Sequence, residues 1–193
     1  MIGIVVLIAV LIVGGFIFFN AQKKEVNKNL GESGGQDDFV GDTKTSIHKD
    51  FRAVIQADWQ ELEIPPATYI YFPSNTSQED VEAEVISVVV SPLGENSQSL
   101  EELTQLGIEN SKKIMPDFEL IENMNVNKGE LTGKRLKFTG TSEGVKRNFV
   151  QFAGIQYNKL YALTYSCPIN KCNYYELFNN FVETIELVKE IQK

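Results

Sequence analysis

The chain has 193 residues, with 18 Lys and Arg against 26 Asp and Glu, a formal net charge of −8. That balance excludes a general binder of nucleic acid, which needs basic charge to displace counterions from phosphates. One histidine and two cysteines exclude a histidine-rich metal site and leave His48 as the only imidazole for a cysteine nucleophile. Hydrophobic residues make up 42% and aromatic residues 10%, enough to build a core.

Residues 2–19 form an unbroken run of 18 apolar residues without a charge. At ~1.5 Å per residue a helix of that length spans ~27 Å, close to the hydrocarbon core of a bilayer. The run exceeds the apolar core of a signal peptide. Phe18, Phe19 and Asn20 occupy the positions where small residues would mark cleavage. We therefore expect a transmembrane anchor over residues 1–20. A pilin stem is the structural alternative, but no acidic residue interrupts the run.

Residues 21–49 read as a flexible polar tether. Gly31, Ser33, Gly34, Gly35, Asp37 and Asp38 cannot bury enough apolar surface to offset the entropy of ordering. His48, at its end, is expected to be solvated. Lys23, Lys24 and Lys28 directly after the apolar run favour a cytoplasmic domain by the positive-inside rule.

The globular domain is expected over residues 50–193. Phe51, Ala53, Ile55, Ala57 and Trp59 alternate with polar residues, the period of a half-buried strand, with Trp59 buried against the closing helix. Pro65 and Pro66 break the chain. Residues 68–72 and 83–90 give two more strands. A capping box, Ser99 with Glu102, opens a helix over residues 99–115 that Pro116 ends. Strands follow at about 130–140, 145–152 and 159–166. Gly140 and Gly144 flank one hairpin turn, and Tyr157, Asn158 and Lys159 lie in another. The last helix is expected over 173–191, burying Tyr174, Leu177, Phe178, Phe181, Ile185 and Val188. The order β-β-β-α-β-β-β-α with short turns predicts an α+β domain. An antiparallel sheet of about six strands is sandwiched by helices, giving an α/β/α sandwich behind one transmembrane helix.

Three charged or reactive groups stand out. Cys167 and Cys172 bracket a short loop. They read as a disulfide stapling that loop, and hence as an oxidising compartment, or otherwise as two unrelated thiols. Their spacing is not that of a redox Cys-x-x-Cys, and a zinc site would lack two ligands. Lys134, Arg135, Lys137, Lys146 and Arg147 gather on one predicted hairpin. They could meet an anionic partner surface or lipid headgroups, or pair with neighbouring acids. Glu79, Asp80, Glu82 and Glu84 read as a solvated strand face rather than a cation site. Asn75-Thr76-Ser77 is an acceptor sequon in a loop.

Across residues 51–188 the pattern resembles the PsbP-like family. The residues that carry the likeness are the opening strand ending in Trp59, the helix start Ser99-Leu100-Glu101-Glu102-Leu103, and the strand Leu131-Thr132-Gly133-Lys134-Arg135-Leu136-Lys137-Phe138. The strand Tyr161-Ala162-Leu163-Thr164-Tyr165-Ser166 and the helix positions Phe178, Phe181 and Ile185 complete it. Gln56, Ala57 and Asp58 replace the proline and glycine frequent before that tryptophan. The resemblance implies the sandwich fold and a non-enzymatic, extracytoplasmic accessory module docking a protein partner. It carries no catalytic residue, cofactor or metal ligand onto this chain. A domain facing the cytoplasm, a pilin-like subunit and an enzyme are the alternatives.

Overall fold

A computed structural model describes residues 42–76, 80–94 and 98–189. The expected anchor over residues 1–20, and most of the expected tether, lie outside the described residues. Among those residues, no helix is long and apolar enough to cross a membrane.

Five strands open the described chain: β1 (Thr43–Ile47), β2 (Phe51–Gln56), β3 (Gln60–Ile64), β4 (Thr68–Phe72) and β5 (Val85–Pro92). Helix α1 (Leu100–Ile114) follows, then β6 (Glu119–Lys128), β7 (Leu131–Ser142), β8 (Val145–Gln156) and β9 (Lys159–Pro168). Helix α2 (Tyr175–Thr184) and the two-residue β10 (Glu186–Leu187) close it. Seven strands form one antiparallel sheet in the order β3-β4-β5-β9-β8-β7-β6, and β1-β2-β10 form a small second sheet.

The alternation of side chains across the large sheet decides what lies on each face. Ile86, Val88, Val150, Phe152, Tyr161, Leu163 and Tyr165 share one core with Leu177, Phe178, Phe181 and Val182 of α2. The small sheet adds Phe51, Ala53 and Ile55 to this core. On the other face, Leu136, Phe138 and Phe149 meet Ile108 and Met115, and Val89, Leu160 and Ala162 meet Leu103. Among the described residues, helix α1 covers one face, whereas α2 and the small sheet together cover the other.

Capping chemistry explains α1. The Ser99 hydroxyl accepts from the Glu102 backbone N–H while the Glu102 carboxylate accepts from the Ser99 N–H, so both ends of the box are closed. Two hairpins have left-handed central pairs, Glu143-Gly144 (φ 52° and 81°) and Tyr157-Asn158 (φ 50° and 57°), the geometry that matches strand twist. Gly140 lies within β7 rather than in the turn. A Cβ there would stand 2.7 Å from Met115 Sδ, so the missing side chain makes room for the end of α1.

Several expectations need correction. Strand β1 lies within residues assigned to the tether; the small sheet recruits it by pairing Thr43–Ile47 with Gln56–Arg52. Strand β6 has no counterpart among the expected strands, because three asparagines dilute its β-propensity and most of it is exposed. The residues before Trp59 do not join the main sheet but form β2 of the small one. Helix α2 stops at Thr184, well short of residue 191. Leu187 instead pairs with Phe51 and leaves its backbone N–H on Glu130, 2.8 Å away. Trp59 is buried as expected, edge-on to Tyr174 at 5.1 Å.

Candidate functional site

The described residues place chemistry in three clusters, and the sequence pattern anticipated the arrangement of only one.

Strands β1, β3 and β4 assemble the first. Alternation sends Ser46 inward from β1, and the turn after it tucks in His48, whose side chain is 6% exposed. His48 Nε2 lies 2.7 Å from Ser46 Oγ, 2.8 Å from the Tyr71 hydroxyl and 3.1 Å from Glu61 Oε1. Ser46 donates to Glu61 Oε2 at 2.6 Å. The imidazole rests on Tyr69, with ring centroids 3.9 Å apart, and near Phe51 at 4.6 Å. The expected solvated histidine is therefore corrected. Pairing of β3 with β4 and packing of β1 over them bring together groups up to 25 residues apart, which no local pattern announces.

A serine, a histidine and a carboxylate in contact suggest nucleophilic catalysis, but the connectivity differs from a triad. In a triad the imidazole stands between the two, with one nitrogen for each. Here serine and carboxylate meet the same Nε2, and the serine hydrogen bond goes to the carboxylate. The imidazole cannot relay a proton from one to the other. Ser46 is also only 5% exposed. The arrangement fastens β1 to the edge of the large sheet.

Burial lowers the His48 pKa from its ordinary 6.5, opposed by the nearby Glu61, Glu63 and Asp50. Burial also raises the Tyr71 and Tyr69 hydroxyls, so both stay neutral. Above about pH 6.5 the imidazole is neutral in both folded and unfolded chains and its contribution is complete. Below that, the unfolded chain takes up the proton first and stability falls until the folded group titrates too. We expect wild-type stability to drop between pH 7 and 5, and His48→Asn to flatten that drop. Urea unfolding at several pH values checks it; identical slopes for both proteins would show that His48 does not titrate differently on folding.

The second cluster surrounds the loop between β9 and α2. Cys167 and Cys172 are bridged, with Cα atoms 5.2 Å apart; Cys167 is buried and Cys172 faces solvent. The bridge leads directly into α2, whose N-cap residue, Tyr174, supplies no side-chain cap. Glu84 does so from a distance. Its carboxylate accepts from the Asn173 N–H at 2.9 Å, the Tyr174 N–H at 3.1 Å, Asn173 Nδ2 at 2.7 Å and the Tyr165 hydroxyl. This corrects the solvated acidic strand. Glu84 is 6% exposed, and β5 begins only at Val85. Glu82 stays in solvent and meets Lys171, and Glu79 lies outside the described residues.

The third cluster is the basic hairpin, β7 with β8. Its five cations do not form one patch. The register pairs Lys134 with Ala153 and Gly140 with Arg147 on the face of α1. Arg135, Lys137 and Lys146 fall on the face of α2. Lys134 meets Glu101 at 2.5 Å, Arg135 meets Glu122 at 2.5 Å, and Lys146 meets Asp117 at 2.6 Å. Lys137 stands 4.0 Å from Glu122 and 5.7 Å above the Tyr175 ring. Arg147 is 1% exposed and donates to the carbonyls of Val81 and Ala83 at 2.7 and 2.5 Å and to the Ser166 hydroxyl at 3.2 Å. Burial pushes its pKa down to about 10, which leaves it a cation at neutral pH. Acids from α1, β6 and the α1–β6 connection, far away in sequence, account for most of the charge that looked free. Among the described residues, no group of three or more His, Cys, Asp and Glu is placed to hold a metal ion.

The sandwich, with one helix on one face and a helix plus small sheet on the other, is the PsbP-like fold. The solution structure of cyanobacterial PsbP (CyanoP) from Synechocystis sp. PCC 6803 matches 82% of this chain and 99% of its own, with a TM-score of 0.59 at 14% identity. A Mog1 protein matches over 77% of this chain and 97% of its own (TM-score 0.56, 14% identity). LpqN, involved in cell envelope biogenesis of Mycobacterium tuberculosis, matches over 76% and 91% (TM-score 0.53, 13% identity). No protein-family model matches the chain, and no curated protein matches it in sequence.

Proposed function

We propose that this chain is a non-enzymatic accessory module of PsbP-like fold that acts by binding a protein partner. It is tethered to a membrane by residues 1–20 and faces the extracytoplasmic side. The observation that carries this reading is the Cys167–Cys172 bridge. It closes a solvent-facing loop of the folded domain, and such bridges persist outside reducing compartments. The apolar run at residues 2–19 supports the tether. LpqN, of the same fold, is involved in cell envelope biogenesis, which agrees with a place at the envelope. The Ser46–His48–Glu61 connectivity supports a role without catalysis.

A domain facing the cytoplasm is the second reading, favoured by Lys23, Lys24 and Lys28 beside the apolar run. Thiol labelling in intact cells separates the two. With a membrane-impermeant maleimide, labelling should appear only after prior reduction, mainly at solvent-facing Cys172. Labelling that needs cell lysis but no reductant would place the domain in the cytoplasm and overturn the proposal.

A further inference from the structure

The two edges of the large sheet are built differently. At one edge, β3 is five residues long, carries Glu61 and Glu63, runs into Pro65-Pro66 and is fastened to β1 through Ser46 and His48. Short length, charge and proline are the usual protection of an edge. At the other edge, β6 is ten residues long, without proline, and exposes Leu120, Ile121 and Met124. Among the described residues nothing pairs with its outer side.

The register shows which backbone groups that side presents. Lys128 and Leu131 flank the two-residue turn Gly129-Glu130, and residues flanking such a turn exchange both backbone hydrogen bonds. Alternation from Lys128 turns the backbone groups of Val126, Met124 and Glu122 toward β7. Those of Asn127, Asn125 and Asn123 point outward.

The sequence of this edge is complementary to itself in the antiparallel sense. With Asn125 as the centre, Met124 mirrors Val126, Asn123 mirrors Asn127, and Glu122 mirrors Lys128, apolar on apolar, amide on amide and acid on base. We propose that β6 pairs antiparallel with β6 of a second copy of this chain about a two-fold axis through Asn125, joining two large sheets edge to edge.

That pairing sets outward-facing Asn125 against Asn125 of the second copy, and Asn123 against its Asn127. About six new backbone hydrogen bonds form, with the amide side chains ranged along one face. On the opposite face each Met124 meets a Val126, and each Glu122 approaches a Lys128. Glu122 and Lys128 already hold Arg135 at 2.5 Å and Glu183 at 2.7 Å within their own copy. The crossed charges therefore select the register more than they add affinity. A contact that swaps identical surfaces about a two-fold axis closes at the dimer.

The test uses the full chain in detergent, with a nitroxide attached to Asn125→Cys. Dipolar coupling between two labels closer than roughly 20 Å is expected, since paired strands lie ~5 Å apart. Asn125→Pro is the disrupting variant. The Asn125 N–H points away from β7, so proline leaves that ladder intact, yet it removes both bonds of the central pair. It should weaken self-association roughly tenfold or more while the circular dichroism stays unchanged. Labels that remain uncoupled at high protein concentration would overturn the proposal. So would a dimer whose Asn125 labels are far apart, which would join through another surface, including the apolar N-terminus. Should Asn125→Pro fail to fold, the label distance alone decides.

Discussion

Glu84→Leu should lower the stability of the folded domain by about 3 kcal/mol. Glu84 is 6% exposed, and its carboxylate accepts from the Asn173 and Tyr174 N–H groups, which lead into α2. Leucine fills the volume but accepts nothing, so the Asn173 N–H loses its acceptor in the chain, while the Tyr174 N–H keeps the Tyr165 hydroxyl at 3.2 Å. The N-cap residue has no side-chain bond to replace it. The Tyr165 hydroxyl also loses its acceptor. Nearby Arg147, itself buried, loses a compensating negative charge. Urea unfolding followed by Trp59 fluorescence measures the loss. Glu82→Ala is the comparison, because Glu82 meets Lys171 in solvent and its removal should leave the midpoint where it was. A Glu84→Leu midpoint equal to that of Glu82→Ala would show that α2 does not depend on this cap.

Phe178→Ala is expected to cost more, about 3–5 kcal/mol, and to lower the melting temperature by roughly 10 °C. Phe178 is 0% exposed on the buried face of α2, between Phe152 of β8 and Tyr165 of β9, each 5.7 Å away by ring centroid. Removing the ring opens a cavity where α2 meets the centre of the large sheet, and backbone pairing on both sides limits how far the strands can close on it. Calorimetry of the purified chain gives the shift. A change below about 1.5 kcal/mol would mean that the site collapses freely, and that the packing of α2 is looser than its burial implies.

The two variants act on α2 through different physics, and only one was legible in the sequence. The periodicity of Leu177, Phe178 and Phe181 marks a buried helix face because neighbours on a helix repeat at 3.6 residues. Glu84 lies 89 residues before Asn173 and sits among other acids, so locally it looks like solvated charge. His48 is a similar case. At the end of a polar stretch it reads as exposed, and it becomes buried only because β1 pairs with β2 and lies over β3 and β4. The basic hairpin errs the other way. Five cations close together suggested a surface for anions, whereas Glu101, Asp117 and Glu122, on other elements, meet three of them and burial removes a fourth.

By itself the sequence determined what depends on neighbours within a few residues. The Ser99–Glu102 box, the alternation of β7 to β9, the turn at Tyr157-Asn158, and the short Cys167–Cys172 loop are of this kind. Together with the element order they were enough for an antiparallel sheet sandwiched by helices, and the resemblance of residues 51–188 added the PsbP-like type. Only the tertiary structure decided the second small sheet, the seven-strand order with β3 and β6 at its edges, and the partners of Glu84, His48 and Arg147. The physical reason is the same throughout. A local pattern reports the period at which side chains turn inward, whereas a buried charge or a sheet edge is defined by chain segments that meet only after the whole fold has closed.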